Sequence, residues 1–163
     1  IYKAEKINTH GGSLRIYVKK NLRTKIDKSV KSLLSEEEKF GIKKYQTYQN
    51  FAKKVYKIRD SVRKNILKLK ENGTKIIGYG SPAKATTALN FFGISDEIEC
   101  IVEDNKLKQG KLLPGVKIPI VSKSDIKGKP DFALVLAWNF INEIKSKNVD
   151  LAHKFISIKD LEN

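Results

Sequence analysis

Two different spacings of apolar residues divide this chain. In Ser13–Lys20 ("SLRIYVKK") Leu14, Ile16 and Val18 alternate with Arg15, Tyr17 and Lys19, a period of two that predicts a strand with one buried face. "THGG" before it is a turn signal. From Lys43 to Asn72 the spacing becomes three and four. Tyr48, Phe51, Val55, Ile58, Val62, Ile66 and Leu69 trace one stripe of a long helix, lysines fill the other faces, and "ENG" (Glu71–Gly73) supplies the stop. The stripe is expected to pack on one face of the sheet that follows. "SEEEKFG" (Ser35–Gly41) reads as a helix start, with Ser35 as cap and Glu36, Glu37 and Glu38 in the first turn.

After residue 73 the apolar residues come in short continuous runs separated by helical stretches. The pattern predicts strands at Lys75–Tyr79, Ile98–Glu103, Ile118–Val121, Phe132–Ala137 and Lys154–Ile158. Helices are expected at Pro82–Phe92 and Asn139–Lys147, and a Gly- and Pro-punctuated loop at Asp104–Gly115. Continuous apolar strands belong to parallel sheets covered on both faces, and alternation with helices implies right-handed crossovers. The expected fold is α/β, a Rossmann-like, mostly parallel sheet with helices on both faces, preceded by an N-terminal strand and a long amphipathic helix. The expected division is 1–72 for the strand and helix and 73–163 for the Rossmann-like core.

Composition narrows the function classes. The 163 residues are 40% hydrophobic, enough for a core. No run reaches the length of a membrane span and no signal-peptide pattern opens the chain, so no membrane partner and a cytoplasmic setting are expected. One cysteine and two histidines leave no room for a disulfide framework or a cysteine-rich zinc site. Cys100, in "EIECIV", reads as a small buried hydrophobe. The net charge of +15 invites a nucleic-acid reading, but residues 1–72 carry 20 Lys and Arg against 7 Asp and Glu, whereas 73–163 carry 13 against 11. The excess is nearly all Lys, without the arginine forks that read bases, so solvated helix faces explain it and no nucleic-acid partner is expected. The chain begins at Ile1 and contains no Met, which suggests a domain cut from a larger protein.

The candidate chemistry lies in "KIIGYGSPAKATTALNFFGI". Gly78-x-Gly80-x-x-Ala83 follows an apolar strand and opens a helix, the context the dinucleotide fingerprint requires. The first glycine permits a tight turn, the second a close backbone approach to a ligand, and the small third residue lets helix and strand touch. Pro82 suits the first helical turn, and the free amides there attract an anion. Ser81 and Lys84 add a hydroxyl and a charge. Glu103 and Asp104 end the next strand 23 and 24 residues past Gly80, where a ribose-binding acid is expected. Packing of helix on strand explains the same glycines without a ligand. His10 is either a general base or phosphate contact, or a turn histidine bonded locally. Trp138 and Asn139 follow a strand's carboxyl end, where ligands bind in open sheets; core packing and helix capping are their plainer roles. Asp125 reads as a cap or turn residue, and His153 as structural.

Four stretches taken together, "THGGSLRIYV", "GYGSPAKATTALNFFGI", "IVEDNKLKQGKLLPGVKIPIV" and "LVLAWNF", resemble the C-terminal domain of S-adenosylmethionine-dependent sugar C-methyltransferases. The resemblance runs nearly the whole length of the chain. It implies a three-part enzyme: a cysteine-rich zinc module, a middle domain that binds the methyl donor and carries a Tyr-x-Glu-His segment, and this Rossmann-like domain. S-adenosylmethionine and zinc would then belong to missing parts, with no cofactor in this fragment. The implied partners are a nucleoside-diphosphate sugar and the intramolecular S-adenosylmethionine-binding domain. Carried over by motif, Gly78, Tyr79, Gly80, Ser81, Pro82, Ala83 and Lys84 line the diphosphate pocket, with Thr86 and Asn139 as neighbours. His10, Gly11, Gly12, Ser13 and Arg15 would sit near the junction with the missing domain. Glu103-Asp104 stands where the family commonly has paired aspartates. The implied reaction removes a proton beside the ketone of a nucleotide-linked keto-deoxysugar, and the enolate attacks the sulfonium methyl. This chain alone is expected not to turn over. The alternative is an NAD(P)-binding Rossmann domain of an oxidoreductase or a cofactor-sensing module, which the fingerprint and Glu103/Asp104 favour. A third reading is a basic module whose long helix docks a partner.

Overall fold

The computed structural model describes residues 1–21, 23–71 and 73–162, with only the backbone of His10 described. The chain forms two compact units, Ile1–Lys54 and Val55–Asn163. The division therefore falls inside the long helix rather than after it.

In the first unit β1 (Lys3–Ile7) and β2 (Ser13–Tyr17) pair antiparallel, with Ala4 opposite Ile16 and Lys6 opposite Leu14. The expected strand thus has a partner that the pattern did not announce. A 3-10 turn, Thr9–Gly11, joins them, followed by Gly12 at φ 121°. Helix α1 (Lys28–Phe40) covers the hairpin on the β1 side: the Ala4 amide donates to Ser29 Oγ at 3.1 Å, and Lys6 pairs with Glu36. Leu14, Ile16 and Val18 remain 48%, 52% and 68% exposed. The buried face expected of β2 is corrected here, because a two-stranded hairpin with one helix leaning on its first strand leaves the second uncovered.

Helix α1 also corrects the reading of Ser35–Gly41 as a helix start. The cap is Asp27, whose carboxylate accepts from the Ser29 amide at 2.8 Å. Gly41, left-handed at φ 81°, ends the helix by donating its N–H to Glu37 and Glu38. The three glutamates lie in its second half.

Helix α2 (Tyr45–Glu71) matches the helical spacing. Gly73 at φ 70° follows it, and Asn72 of the expected stop lies outside the described residues. Only part of the stripe is buried. Val62 and Ile66 are fully enclosed, with Ile58 and Leu69 packed beside them, while Tyr48 and Phe51 are exposed. A 27-residue helix is about 40 Å long at 1.5 Å per residue, and it outruns a sheet of two- to four-residue strands.

The second unit is a five-stranded parallel sheet in the order β5-β4-β3-β6-β7. Its strands are β3 (Ile76–Tyr79), β4 (Ile101–Val102), β5 (Ile120–Val121), β6 (Phe132–Val135) and β7 (Lys154–Ser157). Helices α3 (Ala83–Phe92) and α4 (Ile141–Lys147) connect them. Alternation along β3 divides the core. Ile76 joins Val62, Ile66, Ala85 and Leu89 on one face, and Ile77 joins Val102, Ala133, Leu151 and half-buried Ile144 on the other. Helices therefore cover both faces, and the fold is Rossmann-like. Each fully buried aliphatic side chain contributes about 1.5–3 kcal/mol. Cys100 is half-buried against the second cluster, and its thiol is pushed up by burial and by the Glu99 charge.

Candidate functional site

Strand β3 lies between β4 and β6, and the chain leaves it in one direction through α3 and returns in the other through β6. Open parallel sheets bind ligands outside such a reversal point, at the carboxyl ends of the strands. A cleft of about 600 Å³ opens there. Four groups wall it: Tyr79 at the end of β3 with Gly80, Ser81 and Pro82 after it; Glu103, Asp104 and Lys108 after β4; Ala137 and Phe140 after β6; and Glu143, Ile144, Lys147 and Asn148 on and just past α4.

The two glycines of the fingerprint work differently from the expectation. Gly78 lies inside β3, its φ is not positive, and it makes no turn. A Cβ there would stand 2.9 Å from Ile101 Cγ1 and 3.1 Å from Leu136 Cδ1, so the glycine lets neighbouring side chains close over the strand. Gly80 makes the turn at φ 84°, and a Cβ on it would meet Ala137 Cβ at 3.1 Å. Pro82 caps α3 in extended backbone, and its carbonyl accepts from Ala85 N at 2.8 Å.

Two carboxylates grip the turn. Glu103 Oε2 accepts from the Ser81 amide at 2.9 Å and from Ser81 Oγ at 2.5 Å, and Oε1 accepts from Asn105 N at 3.1 Å. Lys108 Nζ donates to the Ser81 carbonyl at 3.0 Å and stands 3.5 Å from Glu103 Oε2. Burial alone would raise the Glu103 pKa. The Ser81 hydroxyl, the Asn105 and Ser81 amides and the Lys108 charge outweigh it and hold the carboxyl below the usual range. Asp104, more exposed, accepts from the Tyr79 hydroxyl at 3.1 and 3.0 Å. Asn148 donates to the same phenol oxygen at 3.1 Å and to Ile144 O at 2.9 Å. Burial first, then the Asp104 hydrogen bond and charge, push the Tyr79 phenol up to about 12.

Of the residues singled out in the sequence, Tyr79, Gly80, Ser81, Pro82, Glu103 and Asp104 line the cleft. Gly78, Ala83, Lys84, Thr86 and Asn139 do not. Lys84 turns its ammonium onto the Trp138 ring, 4.3 Å from the centroid. Asn139 sits exposed in the 3-10 turn Trp138–Phe140 and makes no cap there. Arg15 and the His10 backbone belong to the Ile1–Lys54 unit, and the His10 side chain lies outside the described residues. Asp125 does cap, accepting from Ser122 N at 2.9 Å.

Sequence reasoning did not single out Lys108, Phe140, Glu143, Ile144, Lys147 and Asn148. A signal existed: Phe140, Glu143–Ile144 and Lys147–Asn148 recur at helical spacing, on the one face of the helix that turns toward the strand ends. The described residues contain no group of three or more His, Cys, Asp or Glu able to hold a metal ion. No helix among them is long and apolar enough to cross a membrane.

Sheet order and cleft together define a Rossmann-like domain with an open cleft at the reversal of its strand order. The chain belongs to the C-methyltransferase C-terminal domain family, whose model matches residues 8–157. It is 34% identical over 140 residues to the C-methyltransferase NovU of Streptomyces niveus, covering 84% of this chain and 33% of that protein. The chain thus spans about a third of the length of that relative.

Proposed function

We propose that this chain is the substrate-holding domain of an S-adenosylmethionine-dependent C-methyltransferase acting on a nucleotide-linked keto-deoxysugar. The family match supports the methyltransferase class. The observation that carries the substrate role is the cleft of about 600 Å³ at the strand-order reversal, large enough for a nucleotide sugar. Its lining suits that ligand in three respects. The ammonium group of Lys147 matches a diphosphate. The Asp104 carboxylate, fixed by Tyr79, and Glu143 match sugar or ribose hydroxyls. Phe140, 59% exposed, offers a ring face to a base.

In this reading the chain binds and orients the sugar. The methyl donor, the base and the zinc module belong to other parts of a longer, cytoplasmic enzyme, and the Ile1–Lys54 unit with His10 and Arg15 meets the methyl-donor domain.

The dinucleotide alternative loses support from Glu103. Both oxygens of this carboxylate already accept from Ser81 and Asn105, which leaves Asp104 as the acid at this strand end open to a ribose. Calorimetric titration of the chain with thymidine- and uridine-diphosphate sugars, with NAD as comparison, is the test. Saturable sugar-nucleotide binding, and no methyl transfer on adding S-adenosylmethionine, is the expected result. Binding of NAD without any of the sugar nucleotides overturns the reading.

A further inference from the structure

In a glycine turn that holds a dinucleotide, the amide after the second glycine and the helix start behind it face the pyrophosphate. Here that amide belongs to Ser81, and a carboxylate already sits on it. Glu103 Oε2 takes both Ser81 donors, the N–H at 2.9 Å and the hydroxyl at 2.5 Å. Its other oxygen is tied to Asn105 N. Lys108 closes the arrangement from the cleft side, bonded to the Ser81 carbonyl and 3.5 Å from the same oxygen. The Glu103 side chain is only 13% exposed, and Ser81 is 7% exposed. An incoming phosphate would meet a negative charge where the fold offers its donors, and Ser81 would have no hydrogen left to give.

We propose that Glu103 is a specificity-determining residue, a built-in anion on the glycine turn that bars dinucleotide pyrophosphates and leaves the phosphate-binding role to the Lys147 side of the cleft. The carboxylate does for the Ser81 amide what a bound phosphate does in a dinucleotide enzyme: it accepts its hydrogen bond. The fingerprint is thus retained as a fold element while its usual ligand is excluded. The exclusion rests on the geometry at Ser81, and only the role left to Lys147 rests on the function proposed above.

Removing the carboxylate should uncover the seat. Calorimetric titration of the 163-residue chain with inorganic pyrophosphate and with NAD compares the native protein, Glu103→Ala and Glu103→Gln. The native chain is expected to bind both weakly, and Glu103→Ala to gain about tenfold for pyrophosphate. Glu103→Gln keeps an oxygen on the Ser81 amide and is expected to gain far less. A staple with no part in selectivity would show no gain in a folded Glu103→Ala protein, and that result overturns the proposal. Micromolar NAD binding by the native chain overturns it as well. If circular dichroism shows Glu103→Ala unfolded, Glu103→Asp, which draws the carboxylate back by one methylene, takes its place. A smaller gain there supports the proposal, and none overturns it. Failure of sugar-nucleotide binding by the native chain would bear on the proposed function alone, because no arm of this comparison uses a sugar nucleotide.

Discussion

At the scale of single residues, the site is a set of ionisable groups aimed by their neighbours. Tyr79 is 5% exposed, and its phenol is raised to about 12 by burial and by Asp104. The folded pKa lies above the ordinary value of 10, so the fold favours the neutral phenol. Its contribution to stability is fully present below pH 10 and is lost as pH rises toward 12. In a spectrophotometric titration, one of the six tyrosines should therefore ionise late, and Tyr79→Phe should abolish that late step. The substitution should cost about 1.5–3 kcal/mol in a denaturant melt at neutral pH, the worth of a hydrogen bond to a charged group. The Asn148 amide keeps Ile144 O for one N–H and loses the phenol oxygen for the other, which is part of that cost. Lys147 is the complementary case. Its side chain is 70% exposed and meets Glu143 one turn away at 2.6 Å, which raises its pKa by hydrogen bond and charge. An exposed pair of this kind adds little to stability. Lys147→Ala should leave the melting temperature within a degree or two of native, yet weaken sugar-nucleotide binding about tenfold or more, the worth of a charge-assisted hydrogen bond.

At the scale of elements, the β3–α3 connection shows how two glycines of one motif serve separate ends. Gly78 admits Ile101 and Leu136 over the strand, and Gly80 makes the bend. Gly78→Ala overpacks a closed site and should cost about 1–3 kcal/mol. Gly80→Ala forces a side chain into left-handed backbone, for about 1–2 kcal/mol, against Ala137 Cβ at 3.1 Å. Paired chemical melts check both, and Gly80→Ala should additionally lower ligand affinity because it alone reshapes the cleft wall. Legibility in the sequence follows the same physical line. Positions of β3, α3, β6 and β7 were readable because apolar runs and turn glycines are local signals. The start of α1 was not, because its cap is a single Asp27–Ser29 contact amid lysines, whereas Ser35 with three glutamates imitates a stronger one. Strand β1 escaped for a related reason: "KAEKI" carries little apolar alternation and is a strand by virtue of pairing with β2.

At the scale of the whole chain, the two units differ in how much they bury. Ala4 is the buried hydrophobic residue of Ile1–Lys54 among the described residues, while Val55–Asn163 encloses the two clusters on either face of the sheet. Hydrogen exchange should show the contrast within a single helix. Amides of α2 around Val62 and Ile66 should be protected as strongly as those of β3, and amides around Tyr48 and Phe51 should exchange orders of magnitude faster, since local opening there exposes little new apolar surface. Uniform protection along α2 would contradict this account.

The sequence by itself determined the parallel α/β core, the long helix, the glycine turn and the acids placed to face it, because hydrophobic period, chain-reversing glycines and spacing along the chain are all local properties. Only the tertiary structure decided what those acids do. Whether Glu103 reaches a ligand or folds back onto Ser81, and whether Lys147 of α4 or Asn139 of the turn before it lines the cleft, depends on distances between segments far apart in the chain. Sheet pairing and helix packing set those distances, and no spacing along a single strand or helix encodes them.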